Sequence, residues 1–376
     1  MAQPKDFGFG DDEKQMRDMA KKFLAEHCNV EKLRGLVAGN PDPERDPECL
    51  WEESQWDKAV ELGWTALAVP EEAGGVGMSM VAVAALCEEI GRAAWPSPLV
   101  PTINATLVLR ECGTDEAKAW LGKIAEGESM SLAITNADGS WDPADTDVTF
   151  KDGKLSGTAS FVQDARKVRS FLVSAKDGNK VSLHVVSAEA AGVKIDPDHI
   201  VDLTRDQARV SFNGTEPAAT VSTDGVKAIT AATPGILTVI SADLVGSGEW
   251  LLQTANEYAK VREQFGRPIG FFQAVKHGIV NVMLDIDKAR SLVYNAACAI
   301  DTEPENAETF ARMAKAKASD AGTFAGDRAV QYHGGIGFTW ECDVHLYFKR
   351  NRHNQFLFGD AIHHRRALAD ALIGAA

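Results

Sequence analysis

Two stretches near the C-terminal end hold residues suited to gripping an anionic group. One is Val261-Arg262-Glu263-Gln264-Phe265-Gly266, continuing to Pro268-Ile269-Gly270 and Gln273. The other is Gln331-Tyr332-His333-Gly334-Gly335-Ile336-Gly337-Phe338. Arg262 supplies a permanent, planar cation. Gly334, Gly335 and Gly337 remove side chains where a chain turns tightly against a ligand or a neighbouring helix. Taken singly, each stretch is more often a surface charge or a plain helix-to-helix turn. A carboxylate fit for proton transfer is harder to find. Asp360 follows Leu357-Phe358-Gly359, and residues 231–240 contain no acid. Asp360 also precedes the helical pattern of residues 361–372, where it reads as an N-cap. The cysteines Cys28, Cys49, Cys87, Cys112, Cys298 and Cys342 show no C-x-x-C and no His at metal-ligand spacing, so reduced thiols and no zinc site are expected.

Charge narrows the partners. Lys plus Arg number 39 and Asp plus Glu 54, a net charge of −15, which argues against a surface that must neutralise many nucleic-acid phosphates. Lys349, Arg350, Arg352, Arg365 and Arg366 crowd together in sequence as a local basic patch, most simply a solvated helix face. The opening MAQPKDFGFGDDEKQ has no basic region followed by an apolar one, and no uninterrupted apolar run reaches the roughly 20 residues of a membrane helix. A cytoplasmic protein is expected.

The elements that must position these residues fall into three blocks. Helical periodicity marks residues 11–27, 51–62 and 78–90, with a Pro-rich loop at 40–47. After about residue 126 come short β-rich runs at 129–135, 148–150, 154–156, 168–174, 180–186 and 208–212, separated by Asp-Gly and Gly-Asn turns. Long helical patterns return at 237–261, 273–301 and 307–332, long enough for an antiparallel bundle. This order predicts an α+β fold with segregated modules: an N-terminal helical domain over 1–125, a middle β domain over 126–225 and a C-terminal helical bundle over 226–376.

Taken together, the two C-terminal stretches resemble the acyl-CoA dehydrogenases. Ala66-Leu67-Ala68-Val69-Pro70-Glu71-Glu72-Ala73-Gly74-Gly75-Val76-Gly77 and Glu88-Glu89-Ile90-Gly91-Arg92 carry the same resemblance at the N-terminal end. The resemblance implies FAD as cofactor, a β-barrel-like middle domain, a four-helix C-terminal bundle and a tetramer built as a dimer of dimers. It places Arg262, Gln264, Phe265, Ile269, Phe272, Gln331, Gly334 and Gly335 against the pyrophosphate side of a flavin held by the adjacent subunit.

The reaction of such enzymes takes the proton α to a thioester carbonyl while hydride leaves the β carbon for flavin N5, so a carboxylate base is needed. Counting from the glycine-rich stretch puts the family's glutamate at Phe358; counting from Val261-Arg262-Glu263 puts the alternative site at Ile236. Neither accepts a proton. The flavin-cradling segments are altered as well: they stand here as Thr135-Asn136-Ala137-Asp138-Gly139-Ser140-Trp141-Asp142 and Gly157-Thr158-Ala159-Ser160-Phe161-Val162-Gln163-Asp164. The chain is similar to the non-catalytic subunit of heterotetrameric actinobacterial steroid side-chain acyl-CoA dehydrogenases. That likeness implies a homologous catalytic partner in an α2β2 assembly, an acyl-CoA substrate and electron-transfer flavoprotein as oxidant. Two alternatives stand beside it: a self-sufficient homotetramer using Asp360 as base, and a family scaffold without enzymatic role.

Overall fold

The structure, a computed structural model, describes residues 6–39 and 46–374, so most of the expected Pro-rich loop lies outside the described residues. The N-terminal block comprises α1 (Asp11–His27), α2 (Val30–Val37), α3 (Glu53–Glu61), α4 (Met80–Ala93), α5 (Leu99–Cys112) and α6 (Asp115–Ala125). α1 follows its periodicity: Asp11, Asp12 and Glu13 occupy the first turn, and Met16, Ala20, Phe23 and Leu24 are buried. α4 starts later than the apolar run because Ser79 caps it, its hydroxyl accepting from the Ala82 amide. α5 is apolar nearly all round and buried from Leu99 to Leu109, so no polar stripe marked it in sequence.

The middle block is one eight-stranded sheet of β1 (Met130–Ala133), β2 (Thr149–Lys151), β3 (Lys154–Gln163), β4 (Ser170–Asp177), β5 (Lys180–Ser187), β6 (Val193–Pro197), β7 (Gln207–Thr215) and β8 (Ala219–Ser222). The strand order is β6-β7-β3-β2-β4-β5-β8, with β1 pairing β4 in parallel. β3 runs well beyond the expected 154–156. A bulge between Ala159 and Val162, with Phe161 at φ 57°, bends its far end. That end reaches the third block, where His353 and the Gln163 amide oxygen lie 2.6 Å apart.

The third block is α7 (Gly225–Val261), a hairpin of β9 (Glu263–Gln264) and β10 (Arg267–Pro268), α8 (Gln273–Thr302), α9 (Pro304–His333), α10 (Val344–Phe356) and α11 (Ala361–Ile373). α7 starts at Gly225 rather than 237 and continues through Pro234. Proline removes a helix hydrogen bond and usually breaks a helix. Here the Thr233 and Thr238 hydroxyls donate to the carbonyls of Ile229 and Pro234, and deep burial on both sides of the proline keeps the helix in place. α7 is long and apolar enough to cross a membrane by length and composition, but most of its apolar stretch is buried inside this fold, as in a core helix.

The expected solvated basic face holds for Arg365 and Arg366, which are exposed, but not for Arg350. Arg350 is fully buried, donating through Nε and Nη2 to both Asp243 oxygens at 2.9 and 2.6 Å and through Nη1 to the Thr204 hydroxyl. Arg352 pairs with Asp327 and Arg365 with Asp320, while Lys349 lies over the Trp340 ring. A helix that packs against two domains at once needs inward charge only if the charge is matched. Asp243 on α7 supplies the match: it also accepts from Arg205 of the middle domain at 2.8 Å and from Asn354 of α10 at 2.7 Å. Arg205 lies 3.6 Å from Asp164, which in turn takes Lys167 at 2.7 Å.

Asp243→Asn removes the carboxylate that Arg350 and Arg205 share, leaving Arg205 only the longer ion pair with Asp164, and is expected to cost roughly 3–5 kcal/mol of unfolding free energy at neutral pH, read as a lower urea midpoint. Burial acts to raise the Asp243 carboxyl, but Arg350 and Arg205 outweigh it and hold it below the ordinary carboxylate range. Its contribution is therefore complete above the unfolded value of about 4 and is lost as pH falls through the lower folded value. Acid unfolding should be steeper for the native protein than for the variant; parallel acid transitions would show that the carboxylate is not what couples the blocks.

Candidate functional site

Two places gather the residues singled out in the sequence. The first is one end of the bundle. α7 stops at Val261, and the β9–β10 hairpin turns through Phe265 and Gly266, both with positive φ (54° and 71°), as a two-residue turn of the primed kind requires. Gly278 on α8 has no side chain because the Tyr332 hydroxyl sits where a Cβ would be, and Tyr258 stacks on His333 at 4.1 Å. These contacts bring the hairpin, the start of α8 and the glycine-rich end of α9 together.

What this end presents is unusual for a closed fold. Arg262, Gln264, Phe265, Gln331, Gly334 and Gly335 are exposed, and Ile269 and Phe272 are half-buried. Phe265 is 92% exposed and Phe338 78%, with Val261, Phe271 and Ile336 also open to solvent. Among the described residues, no hydrogen bond or ion pair engages the Arg262 guanidinium. Residues 262–277 carry Arg262, Arg267 and Lys276 against the single carboxylate of Glu263, a positive stretch in a chain of net charge −15. Gly334 ends α9 with φ 64°, which explains that glycine. Gly335 has neither a positive φ nor a neighbour within 4 Å of a Cβ, so nothing within the chain requires it to be glycine. An uncommitted cation, an open glycine and exposed aromatic rings fit an anionic, ring-bearing group brought in from outside.

The second place lies between α5, the sheet and the turn after α10. Pro101, Asn104, Ser131, Leu132, Ile134, Thr135, Trp141, Phe161, Gln163 and Phe358 line it, so the fold brings Phe358 together with residues of the 135–142 and 157–164 segments. The space left is about 30 Å³, room for no more than a water or two. The rings of Trp141 and Phe358 stack across it, centroids 4.7 Å apart and 22° from parallel. No lining residue is acidic or basic, and Asn104 Oδ1 is buried without a partner among the described residues. Ile236, the other candidate base position, is fully buried in the main core. Asp360 caps α11, accepting from the His363 amide at 2.8 Å, in accord with its reading as a cap. A flavin ring system does not fit this pocket as it stands, and no group in it could accept an α proton.

Sequence reasoning missed what fixes the Phe358 turn. Lys315, fully buried on α9, donates to the Gln355 and Gly359 carbonyls at 2.8 Å each and to the Ser319 hydroxyl at 3.2 Å. Its signal was a lysine among the small residues of an otherwise Ala-rich helix face.

The sequence matches the acyl-CoA dehydrogenase N-terminal domain over residues 10–128 and the acyl-CoA dehydrogenase C-terminal domain over 224–373. It is 34% identical, over 90% of this chain and 91% of the relative, to the acyl-CoA dehydrogenase IpdE2 of Mycobacterium tuberculosis. Among solved structures, one described as a variant of the Tcur3481-Tcur3483 steroid ACAD superposes with a TM-score of 0.85 at 26% identity, covering 97% of this chain and 98% of that one. The ChsE4-ChsE5 complex of Mycobacterium tuberculosis superposes with a TM-score of 0.86 at 23% identity over 99% of this chain and 100% of that one, which shows the shared fold.

Replacing the Lys315 clamp gives a test. Lys315→Met leaves two buried carbonyls unpaired and is expected to lower stability by about 1–3 kcal/mol at alkaline pH. Burial pulls the Lys315 ammonium down to about 7, against about 10.4 in an unfolded chain. Charging it therefore costs the folded state below pH 7, and that cost is relieved as pH climbs from 7 towards 10. Urea titrations should show the native protein's advantage over the variant growing across that interval; a constant difference would mean the group titrates normally.

Proposed function

Because this chain belongs to the acyl-CoA dehydrogenase family, whose cofactor is FAD, we propose that it is the subunit lacking the base in a hetero-oligomeric acyl-CoA dehydrogenase. In this reading it lends its bundle end to the flavin of a homologous catalytic subunit. The observation that carries it is the pairing of an open, cationic, aromatic bundle end with a small, acid-free pocket at Phe358. When bound in the partner, FAD supplies the hydride acceptor for α,β-dehydrogenation of an acyl-CoA thioester. This chain's residues bind and orient. Arg262 faces the pyrophosphate, Gly334 and Gly335 admit its close approach, Gln264 and Gln331 offer hydrogen bonds, and Phe265, Ile269 and Phe272 cover the adenosine side.

The Tcur3481-Tcur3483 relative, named for two chains and described as a steroid enzyme, supports a two-chain assembly and a steroid CoA ester as substrate class; an α2β2 stoichiometry and a side-chain ester belong to the same proposal. Electron-transfer flavoprotein is the expected oxidant and the cytoplasm the expected compartment. The self-sufficient reading would need Asp360 as base, and Asp360 is engaged at the start of α11.

Purification of the tagged chain from its host should bring down a homologous dehydrogenase carrying a glutamate at one of the two base positions, with FAD in the complex and none in the chain alone. Arg262→Ala in that complex should weaken FAD binding tenfold or more, about 1.4 kcal/mol or above, with the assembly still formed. A yellow lone chain that oxidises an acyl-CoA, and stops doing so in Asp360→Asn, would reverse the assignment.

A further inference from the structure

We infer that the Trp141–Phe358 stack is a built-in plug that holds the chain's own interdomain pocket shut against an isoalloxazine-sized ring. This deepens the proposed function, since it names what keeps flavin chemistry on the partner's side.

The plug is braced from both sides. Phe358 sits at φ 55°, a backbone region that costs a bulky residue energy and persists only where the surroundings enforce it. They do so here: the Lys315 ammonium ties the carbonyls of Gln355 and Gly359 on either side of Phe358, and Asp360 anchors the next residue to α11. Gly359, at φ 96°, has the His363 ring where a Cβ would lie, so the turn has no room to relax in that direction. Trp141 arrives on a loop closed on itself. The Ala137 amide donates to Asp147, the Ser140 amide to Asn136, the Ser140 hydroxyl to Asp145 and the Ala144 amide to Asp142. Two aromatic rings offset and nearly parallel at 4.7 Å then fill the space between α5 and the sheet.

The walls behind the plug remain those of a ring site. Phe161, turned by the β3 bulge, and Leu132 and Ile134 are apolar; Thr135, Ser131, Gln163 and Asn104 are polar, the last with an unpartnered buried oxygen. Removing both aromatic side chains therefore uncovers a cavity with apolar and polar walls suited to a flat heterocycle, and a cavity made by truncation accepts a ring of matching size.

The test uses the full-length chain and lumiflavin, an isoalloxazine without the ribityl-ADP tail, read by quenching of its fluorescence. Native chain is expected to show no saturable binding, and Trp141→Ala/Phe358→Ala to bind at least tenfold more tightly than native, with an unchanged circular dichroism spectrum. Saturable binding by native chain, or a folded double variant that binds no better than native, overturns the inference. If the double variant does not fold, Trp141→Ala and Phe358→Ala are tested singly; at least one is expected to bind measurably, and failure of both while folded has the same consequence. No partner enters this experiment, so its failure is distinguishable from failure of the subunit assignment, which rests on co-purification and Arg262.

Discussion

The arrangement turns on one buried carboxylate. Asp243, in the middle of the longest helix, is reached by Arg350 and Asn354 from α10 and by Arg205 from the middle domain. Taking charges out of water costs several kcal/mol per ion, and only near-complete pairing repays it. The geometry meets that condition for Asp243 itself, both of whose oxygens are engaged by donors between 2.6 and 2.9 Å. Such a network tolerates one relative placement of α7, α10 and the sheet. That placement decides where the turn after α10 must emerge: directly over the end of β3, beside Trp141.

From this constraint the two faces of the chain part company. Toward the sheet, stacked aromatic rings narrow the space between α5, β3 and Phe358, where Asn104 Oδ1 is buried without a partner among the described residues. Toward the far end of the bundle, the chain leaves Phe265, Phe338 and Val261 in water and leaves Arg262 uncommitted. Exposed apolar surface of this kind is a cost to a monomer and a resource to an assembly. One polypeptide thus combines a small pocket without ionisable side chains at Phe358 with an exposed apolar and cationic bundle end, the two observations on which the proposed subunit role rests.

Much of this was legible in order along the chain. The three-block α+β organisation followed from periodicity, because long amphipathic helices and short alternating strands bury different fractions of their residues. Counting along the resemblance places the base positions at Phe358 and Ile236, a reading that stays within the proposal. Asp360 was readable as a cap because an acid ahead of an apolar helix has a local job. Less visible were α5, which is buried on every side and so lacks a polar stripe, the start of α7, which lies ahead of the expected 237 on the far side of Pro234, and the edge strands β6 and β8, which are too short to alternate convincingly.

What the sequence determined by itself was largely local: the long helices, most of the strands, the Asp360 cap and the absence of acids at two positions. What only the tertiary structure decided was the partnership of residues far apart in the chain. Arg350 looked like one charge of a surface cluster until Asp243 and Thr204 met it in the interior, and Lys315 looked like an ordinary helix lysine until the Phe358 turn folded over it. Trp141 counted only as a departure from a motif until its ring was found on Phe358. The reason is physical: the meaning of a charge or a ring depends on the dielectric and the neighbours it is given, and those are assigned by packing rather than by position in sequence.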